Sequence, residues 1–293
     1  MRLIAHAKIN WTLEITGTDG RGYHLLDMLT QSIDLGDTLT LTASDDLTLS
    51  VSGNDAVPAD ERNLAFRAAA VLRRYTGIRT GAAIRLHKNV PSGAGLGGGS
   101  ADAAAVLAGL NQLWQTGLSQ HDLESIGLQL GADVPFCLRG GLCRVRGIGE
   151  RLTPYPVAPV WPLVLVKPCE GLSTAEIYHH YAADSAVTPA HDRVLKAALA
   201  NDPRLLPRHP GNALERVSAS FLPEIQQCRE ALLAAGAVCA QMSGSGSAVF
   251  GVFPDADSAA RAAAGLSGSW PWVTCCRTSA SPYEFVREEE PAL

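Results

Sequence analysis

The chain has 293 residues, of which 46% are hydrophobic and 18% are charged, and its formal net charge is −5. This globular balance excludes disorder as the overall state and provides enough apolar mass for a sizeable core. The acidic charge and the lack of a long basic stretch argue against nucleic acid or an anionic membrane as a partner.

The seven cysteines are odd in number and include no Cys-x-x-Cys pair, so they suggest neither a disulfide framework nor a zinc site. The apolar run at the N-terminus is too short for a signal peptide. The uncharged stretch 231–253 contains too many glycines and serines for a membrane span. The sequence therefore predicts a cytoplasmic protein with no dedicated metal site.

Strands and helices are both predicted in the first half. The predicted strands lie at 3–15, 37–43, 46–51 and 83–87. The predicted helices lie at 61–75, 100–114 and 119–130. Ser119 and Asp122 resemble a capping box at the start of the third helix. The two strands at 37–43 and 46–51 alternate with a period of two, so we expect them to be antiparallel and half-exposed.

Four prolines within 154–162 predict a domain boundary, which separates a domain 1–153 from a domain 163–293. The predicted strands of the second half lie at 163–166, 238–242 and 248–253, followed by closing strands. Its predicted helices lie between 174 and 235 and at about 257–266. Helices mixed with antiparallel hairpins predict an α+β class in both halves, not a doubly wound sheet.

The strongest local feature is the segment 91–100, Pro-Ser-Gly-Ala-Gly-Leu-Gly-Gly-Gly-Ser, between a predicted strand and a predicted helix. Glycine lets the backbone approach a ligand, and the first N–H groups of a helix favour an anion. The segment lacks the Gly-Lys-Ser/Thr of a Walker A loop. Its G-x-G-x-x-G match lacks the buried parallel strand of a dinucleotide fold. We therefore predict a phosphate-binding loop of another kind.

Three further features of the sequence could be either structural or functional. Asp133 lies between a predicted helix end and a proline, and the pattern leaves open whether it is a cap or a functional carboxylate. The segment 243–247, Ser-Gly-Ser-Gly-Ser, is either a hairpin turn or a surface that approaches a ligand or the glycine loop. Lys8 shares a strand face with Asn10 and Thr12, and a lone lysine there is usually an exposed edge charge.

In this order and at these spacings, the segments resemble the GHMP kinase superfamily. Their most specific parts are Ala-Lys-Ile-Asn at 7–10, Gly-Tyr-His at 22–24, the glycine loop continued through 93–102, and Leu-Gly-Ala-Asp-Val-Pro at 130–135. The resemblance extends over essentially the whole chain. Gly-Tyr-His is similar to the branch that phosphorylates 4-diphosphocytidyl-2-C-methyl-D-erythritol and differs from mevalonate and homoserine kinases.

Two positions depart from the pattern of that branch. His6 stands where the family usually has proline, and Arg21 where it usually has aspartate. We expect both to lie beside the substrate site.

The resemblance implies a two-domain α+β GHMP kinase fold, with an N-terminal domain like domain 2 of ribosomal protein S5 and a ferredoxin-like C-terminal domain. It implies transfer of the ATP γ-phosphoryl group to the 2-hydroxyl of the cytidyl substrate, in the non-mevalonate isoprenoid precursor pathway. Mg²⁺ is expected to accompany ATP, with Ser100 as a candidate contact. The small molecule is the expected partner, with no nucleic acid or membrane, and the chain is expected to be a monomer or homodimer.

The resemblance also implies roles for individual residues. Asp133 would accept or orient the hydroxyl proton, and Lys8 would offset charge during transfer. The expected ATP-binding residues are Pro91, Ser92, Gly93, Ala94, Gly95, Leu96, Gly97, Gly98, Gly99, Ser100 and Ala101, with Asn63 and Lys88. The expected substrate-binding residues are Asn10, Tyr23, His24, Thr174 and Tyr178.

Three alternatives stay open at this point. The first is another small-molecule kinase of the superfamily, such as a mevalonate or homoserine kinase. The second is a nucleic-acid-binding module with the S5-like fold, against which the acidic charge counts. The third is an NAD or FAD enzyme that uses the G-x-G-x-x-G match.

Overall fold

Two long antiparallel strands, β1 (Arg2–Thr18) and β2 (His24–Ser44), form the centre of the fold. The computed structural model describes residues 1–54, 56–168, 171–181 and 188–286. The other strands are β3 (Leu47–Ser52), β4 (Gly81–His87), β5 (Leu142–Gly147), β6 (Arg151–Pro154), β7 (Pro162–Lys167), β8 (Cys239–Met242), β9 (Val249–Val252), β10 (Trp272–Ser279) and β11 (Tyr283–Val286).

All described helices except Val134–Arg139, which the sequence did not predict, lie where the sequence predicts them, with ends shifted by a few residues. The helices are α1 (Leu64–Thr76), α2 (Gly98–Leu113), α3 (Gln120–Leu128), α4 (Val134–Arg139), α5 (Thr174–His179), α6 (His191–Ala200), α7 (Glu215–Phe221), α8 (Glu224–Ala234) and α9 (Ala256–Leu266). The capping box of α3 is confirmed, since Ser119 and Asp122 cap each other's backbone N–H groups. Among the described residues, no helix is both long enough and apolar enough to cross a membrane.

One sheet joins both halves of the chain. Its main path runs β11-β1-β2-β10-β7-β9-β8, and β4 and β5 also pair with β2. β10 makes the connection, because it pairs with β7 along most of its length and with β2 through Thr278 and Ser279. The α+β class is confirmed, since every pairing is antiparallel except that of β3 with β4 and one isolated bridge among the described residues.

The parallel pairing of β3 with β4 corrects one expectation from the sequence. The predicted strand at 46–51 pairs in parallel with β4, not antiparallel as expected. β2 and β3 do run in opposite directions, but β4 lies between them and takes the antiparallel pairing with β2. The predicted strand at 37–43 is only the end of β2. Residues 28–33 of that strand are buried on both faces, so they show no alternation with a period of two.

Helix α2 lies in the interior of the first half. All of its residues from Ala101 to Leu110 are buried, and it packs on α1, β1 and β2. A helix buried on every side shows no polar face, which explains why this stretch consists of Ala, Leu and Val apart from Asp102 and Gly109. This packing gives the glycine loop, which precedes α2, a rigid support.

The proline-rich segment 154–162 runs from β6 to β7. Its Pro159 carbonyl accepts hydrogen bonds from Gln31 and Thr278, and Trp161 is buried. The division into domains 1–153 and 163–293 stays a prediction.

Candidate active site

A cavity of about 620 Å³ gathers residues from both halves of the chain. Its walls come from β1, β2, the glycine loop, the start of α4, helix α5 and the turn 243–247. Every predicted site residue lines this cavity except Asn63 and Ala101. The fold therefore brings together residues that lie far apart in the sequence, as the family pattern implied.

The glycine loop is held through its carbonyl groups. The carbonyls of Gly93 and Ala94 accept hydrogen bonds from the N–H groups of Ser247 and Ala248, at 3.3 and 3.2 Å. The Leu96 carbonyl accepts from the N–H of Lys8 at 2.9 Å. With these carbonyls bonded to the surrounding protein, the loop is anchored while it lines the cavity.

Helix α2 begins at the cavity without a cap. Its N-cap residue, Gly97, has φ +70° and offers no side-chain hydrogen bond. The first N–H groups of a helix have no intrahelical partners and carry the positive end of the helix dipole. Gly98, Gly99 and Ser100 form this first turn and line the cavity. The arrangement is suited to bind phosphate oxygens.

The turn 243–247 connects β8 to β9 and also touches the glycine loop, so both interpretations of this segment hold. The Ser243 hydroxyl donates to the Gly95 carbonyl at 3.0 Å. A Cβ at Gly95, whose φ is +72°, would collide with the Ser243 carbonyl. A Cβ at Gly93 would lie 2.7 Å from the Cα of Gly171. Glycine is therefore required at position 95, where the two loops meet, and at position 93, where the glycine loop meets Gly171.

Lys8 and Asp133 form the charged centre of the cavity. Their Nζ and Oδ2 atoms lie 3.6 Å apart. Lys8 Nζ also donates to Asn10 Oδ1 at 2.8 Å and to the Gly95 carbonyl at 2.9 Å. Lys8 is only 3% exposed, so it is not the exposed edge charge that a lone strand lysine usually is.

Asp133 occupies the N-cap position of α4, but its side chain makes no capping hydrogen bond. Its carboxylate is about one-third exposed and faces the cavity. Between the two interpretations that the sequence left open, the geometry favours the functional carboxylate.

Of the three residues predicted to share one face of β1, Lys8 and Asn10 line the cavity and Thr12 does not. The pairing of β1 with β2 shifts register between Asn10 and Thr12. Thr12 therefore does not continue the row of Lys8 and Asn10, and its hydroxyl instead contacts His191 Nδ1 at 2.8 Å. A β-bulge of this kind changes the direction of the side chains beyond it.

Aromatic rings line the other end of the cavity. The rings of His24 and Tyr178 lie 5.3 Å apart with an interplanar angle of 31°, and Tyr181 meets His24 edge-on. Burial, with Asp133 as a second cause, raises the pKa of the Tyr178 phenol, so this residue is neutral near pH 7. Tyr23 is exposed at the rim, and the Thr174 hydroxyl hydrogen-bonds to Ser245 at 2.9 Å.

Two predicted ATP contacts already have partners within the protein. The Asn63 side chain caps α1 by accepting from the N–H of Ala65 at 2.9 Å, and it lies outside the cavity lining. Lys88 is buried at the cavity floor between the carboxylates of Asp37 and Asp102. Their contacts with a nucleotide stay predictions.

Neither departure from the family pattern lines the cavity, but Arg21 lies beside it, with its guanidinium 5.4 Å from the ring centre of Tyr23 at the rim. For His6, the structure corrects the expectation that it lies beside the substrate site. His6 is buried against the C-terminal strand, where its Nδ1 lies 2.8 Å from the Ser281 carbonyl. A register shift between His6 and Lys8 separates it from the cavity face. Arg21 is exposed and pairs with Asp19.

Several lining residues were not predicted from the sequence. They are Leu13, Gly22, Leu26, Met28, Leu64, Val90, Ala132 and Ile148. Most are apolar residues that a single sequence does not distinguish from the core. Gly22 and Ala132 carried a signal, since they belong to the motifs 22–24 and 130–135. Gly244 and Ser245, which also line the cavity, belong to the turn 243–247 that was predicted to be able to approach a ligand.

Outside the cavity, Glu14, Asp27 and His191 bring one ligand atom each within 4.8 Å of one another. Asp27, however, already binds Arg144 with both oxygens, at 2.8 and 2.6 Å. The guanidinium would repel a metal ion at this position.

Comparison with known proteins shows the family of the chain. The family model of the GHMP kinase N-terminal domain matches residues 63–141, and that of the C-terminal domain matches residues 191–271. A 4-diphosphocytidyl-2-C-methyl-D-erythritol kinase from Pelotomaculum thermopropionicum is 45% identical over 89% of this chain and 92% of its own length.

Solved structures support the same assignment. A crystal structure of 4-(cytidine 5'-diphospho)-2C-methyl-D-erythritol kinase matches with a TM-score of 0.81 and 33% identity, over 95% of this chain and 99% of the other. A homoserine kinase from Cytophaga hutchinsonii shares the fold, with a TM-score of 0.76 and 21% identity over 97% of this chain and 96% of its own. The chain belongs to the GHMP kinases and, within them, to the 4-diphosphocytidyl-2-C-methyl-D-erythritol kinase family.

Proposed function

We propose that the chain transfers the γ-phosphoryl group of ATP to the 2-hydroxyl of 4-diphosphocytidyl-2-C-methyl-D-erythritol. The products are the 2-phosphate and ADP, and the reaction belongs to the non-mevalonate route to isoprenoid precursors. One observation carries the proposal: the uncapped start of α2 and the Lys8–Asp133 pair face the same cavity. The names of relatives that are 45% and 33% identical supply the substrate.

The glycine loop and the first turn of α2 are proposed to hold the ATP phosphates. Backbone N–H groups from Gly93 to Ser100 would donate to phosphate oxygens, and the helix dipole would favour their negative charge. Phosphoryl transfer depends mainly on positioning and on charge stabilisation around a loose transition state. A preorganised loop of this kind meets the first requirement.

Asp133 and Lys8 are proposed to act at the reacting groups. Asp133 would accept or orient the proton of the attacking hydroxyl, because its carboxylate is accessible and makes no structural hydrogen bond of its own as a cap. The Lys8 ammonium would offset negative charge as the phosphoryl group moves.

Mg²⁺ fits the oxygen donors of the cavity. The Ser100 hydroxyl and the Asp133 carboxylate line it, and hydroxyl and carboxylate oxygens with phosphate oxygens are what Mg²⁺ prefers. We propose that Ser100 contacts the ion that ATP brings. When bound, the ion would neutralise charge on the phosphates.

The aromatic end is proposed to hold the cytidine. Tyr178 and Tyr23 would provide stacking surfaces, and stacking on an aromatic ring is worth about 1–3 kcal/mol per base. His24, Asn10 and Thr174 would supply hydrogen bonds. A cytoplasmic location and a monomeric or homodimeric state stay predictions of the sequence.

The test is ADP release by the purified protein with Mg-ATP. The cytidyl substrate is compared with mevalonate, homoserine and no acceptor. Turnover with the cytidyl substrate alone supports the proposal. ATP binding without turnover on that substrate would contradict the assignment of the acceptor while leaving the ATP site in place.

A further inference from the structure

Three buried charged residues lie beneath the phosphate loop. Lys88 Nζ donates to Asp37 Oδ2, and to Asp102 Oδ2 at 2.6 Å. Lys88 follows β4 directly, Asp37 lies in β2, and Asp102 lies in the first turns of α2. The ammonium therefore joins three separate elements of the first half.

These contacts connect the two ends of the loop. Asp37 Oδ1 accepts hydrogen bonds from the backbone N–H groups of Asn89 at 2.6 Å and Val90 at 2.8 Å, where the chain enters the loop. Asp102 belongs to the helix into which the loop leads. The ends also touch, because a Cβ at Gly98 would lie 3.0 Å from the Val90 side chain. One ammonium thus ties the entry of the loop to its exit.

Burial of these three polar groups costs free energy of folding. Burial raises the pKa of Asp102 to about 8, although Lys88 opposes the shift. Asp102 Oδ1 has no hydrogen-bond partner among the described residues. Replacing buried ion pairs by apolar residues is often neutral or stabilising. A buried cluster with an unpartnered oxygen is therefore poorly explained by stability alone.

We propose that Asp37, Lys88 and Asp102 are positioning residues that fix the spacing between the two ends of the phosphate loop and thereby set its affinity for ATP. The inference rests on the proposed ATP site. A direct contact between Lys88 and ATP would involve the lysine alone. In the positioning role, loss of either carboxylate should weaken ATP binding as loss of the lysine does.

The discriminating variant is Asp102→Ala. Its neighbours at 101 and 103–105 are all alanine, so the helix tolerates the change, and alanine has the higher helix propensity. Whether Asp102 is protonated or ionised, its removal takes away no positive charge, so electrostatics alone would leave ATP binding unchanged or tighten it. We expect the opposite, an ATP Kd raised by about tenfold or more because the loop ends lose their link. Asp37→Asn and Lys88→Met should act in the same direction.

Calorimetric titration with Mg-ATP and initial rates measure the effect, with thermal unfolding as the check on folding. In Asp102→Ala we expect the KM for ATP to rise with the Kd for ATP, and the KM for the cytidyl substrate to stay unchanged. Asp102→Asn keeps an oxygen for Lys88, so it should bind ATP more tightly than Asp102→Ala does. Asp202→Asn, which removes one partner of the exposed pair Asp202–Arg204, is the matched control and should bind ATP normally.

Two results overturn the inference in different ways. If the wild-type protein binds ATP and folded Asp102→Ala binds it equally or more tightly, the positioning role is wrong and the ATP site stands. If the wild-type protein does not bind ATP, the proposed function fails and the inference fails with it.

Discussion

Lys8 Nζ lies 3.6 Å from Asp133 Oδ2 and is held there by two acceptors, Asn10 Oδ1 and the Gly95 carbonyl. These two hydrogen bonds use two of the three ammonium donors, and the contact with Asp133 is an ion pair at a distance too long for a hydrogen bond. The side chain is therefore fixed between the glycine loop and the carboxylate. Lys8 is buried while Asp133 is about one-third exposed, so the carboxylate is the accessible member of the pair.

Asp133→Asn should abolish turnover without loss of ATP binding. The amide keeps the size of the side chain but cannot accept a proton, and such groups contribute about 10²–10⁴ in rate. We expect kcat to fall by at least about 10². The ATP Kd, measured by titration, should stay the same or decrease because a negative charge is removed. Near-normal kcat would contradict the role given to Asp133.

Lys8→Met should lower kcat by about two orders of magnitude, because the cation that offsets the moving charge is lost. The apolar stem of methionine fills most of the same buried space, which limits the effect on folding. Lys196→Met, at an exposed position on α6, is the control for loss of one lysine. If unfolding free energy drops while kcat of the folded fraction is unchanged, Lys8 is a structural residue.

Gly95→Ala should weaken ATP binding and destabilise the fold. The left-handed conformation costs a non-glycine residue roughly 1–2 kcal/mol, and the added Cβ also collides with the Ser243 carbonyl. Gly77→Ala is the matched control, because its φ is +70° and no atom lies within 4 Å of the added Cβ. In urea unfolding, Gly95→Ala should lose more free energy than Gly77→Ala, and only Gly95→Ala should raise the KM for ATP. Equal losses and equal KM values would show that the contact between the two loops is unimportant.

The sequence predicted most elements because their periodicity or capping is local. The glycine loop, α2 and the capping box of α3 all depend on residues within one turn of each other. Residues 28–33 of β2 were missed because both faces are buried, so the alternation that marks a half-exposed strand is absent. The parallel pairing of β3 with β4 depends on the insertion of β4 between β2 and β3, which local pattern does not encode.

In the candidate site too, residues in local motifs were predicted, and residues whose position depends on distant parts of the chain were not. Lys8, Asp133 and the glycine loop were found through motifs, and the fold brings them together. His6 was placed beside the substrate from the family pattern alone, which carries no information about the register shift that separates it from Lys8. The buried partners Asp37 and Asp102 were not singled out, since an aspartate in a strand and one among alanines carry no sign of the lysine between them.

Tyr178→Ala should raise the KM for the cytidyl substrate and leave the ATP Kd unchanged. Loss of one stacking surface costs about 1–3 kcal/mol, which corresponds to roughly 5- to 150-fold in affinity. Tyr178→Phe keeps the ring beside His24 and should stay within a few-fold of wild type. An equal rise in the ATP Kd and the substrate KM for Tyr178→Ala would place this ring at the nucleotide instead of the cytidine.

Asp102 should also make stability depend on pH. Burial raises its pKa in the folded protein to about 8, whereas an unfolded aspartate has a pKa of about 3.9. Between these values the folded state keeps a proton that the unfolded state has lost, so the contribution of Asp102 is complete below about pH 4 and declines as pH rises toward about 8.

The measurement is the unfolding free energy of wild type and Asp102→Ala by urea titration at pH 5, 6, 7 and 8. The difference, wild type minus variant, should fall as pH rises, by at most about 1.4 kcal/mol per pH unit. The subtraction removes the contributions of other titrating groups that the substitution leaves unchanged. A difference that is constant or rises over this range would mean that Asp102 is ionised throughout, and the buried cluster would then carry one net negative charge beneath the phosphate loop.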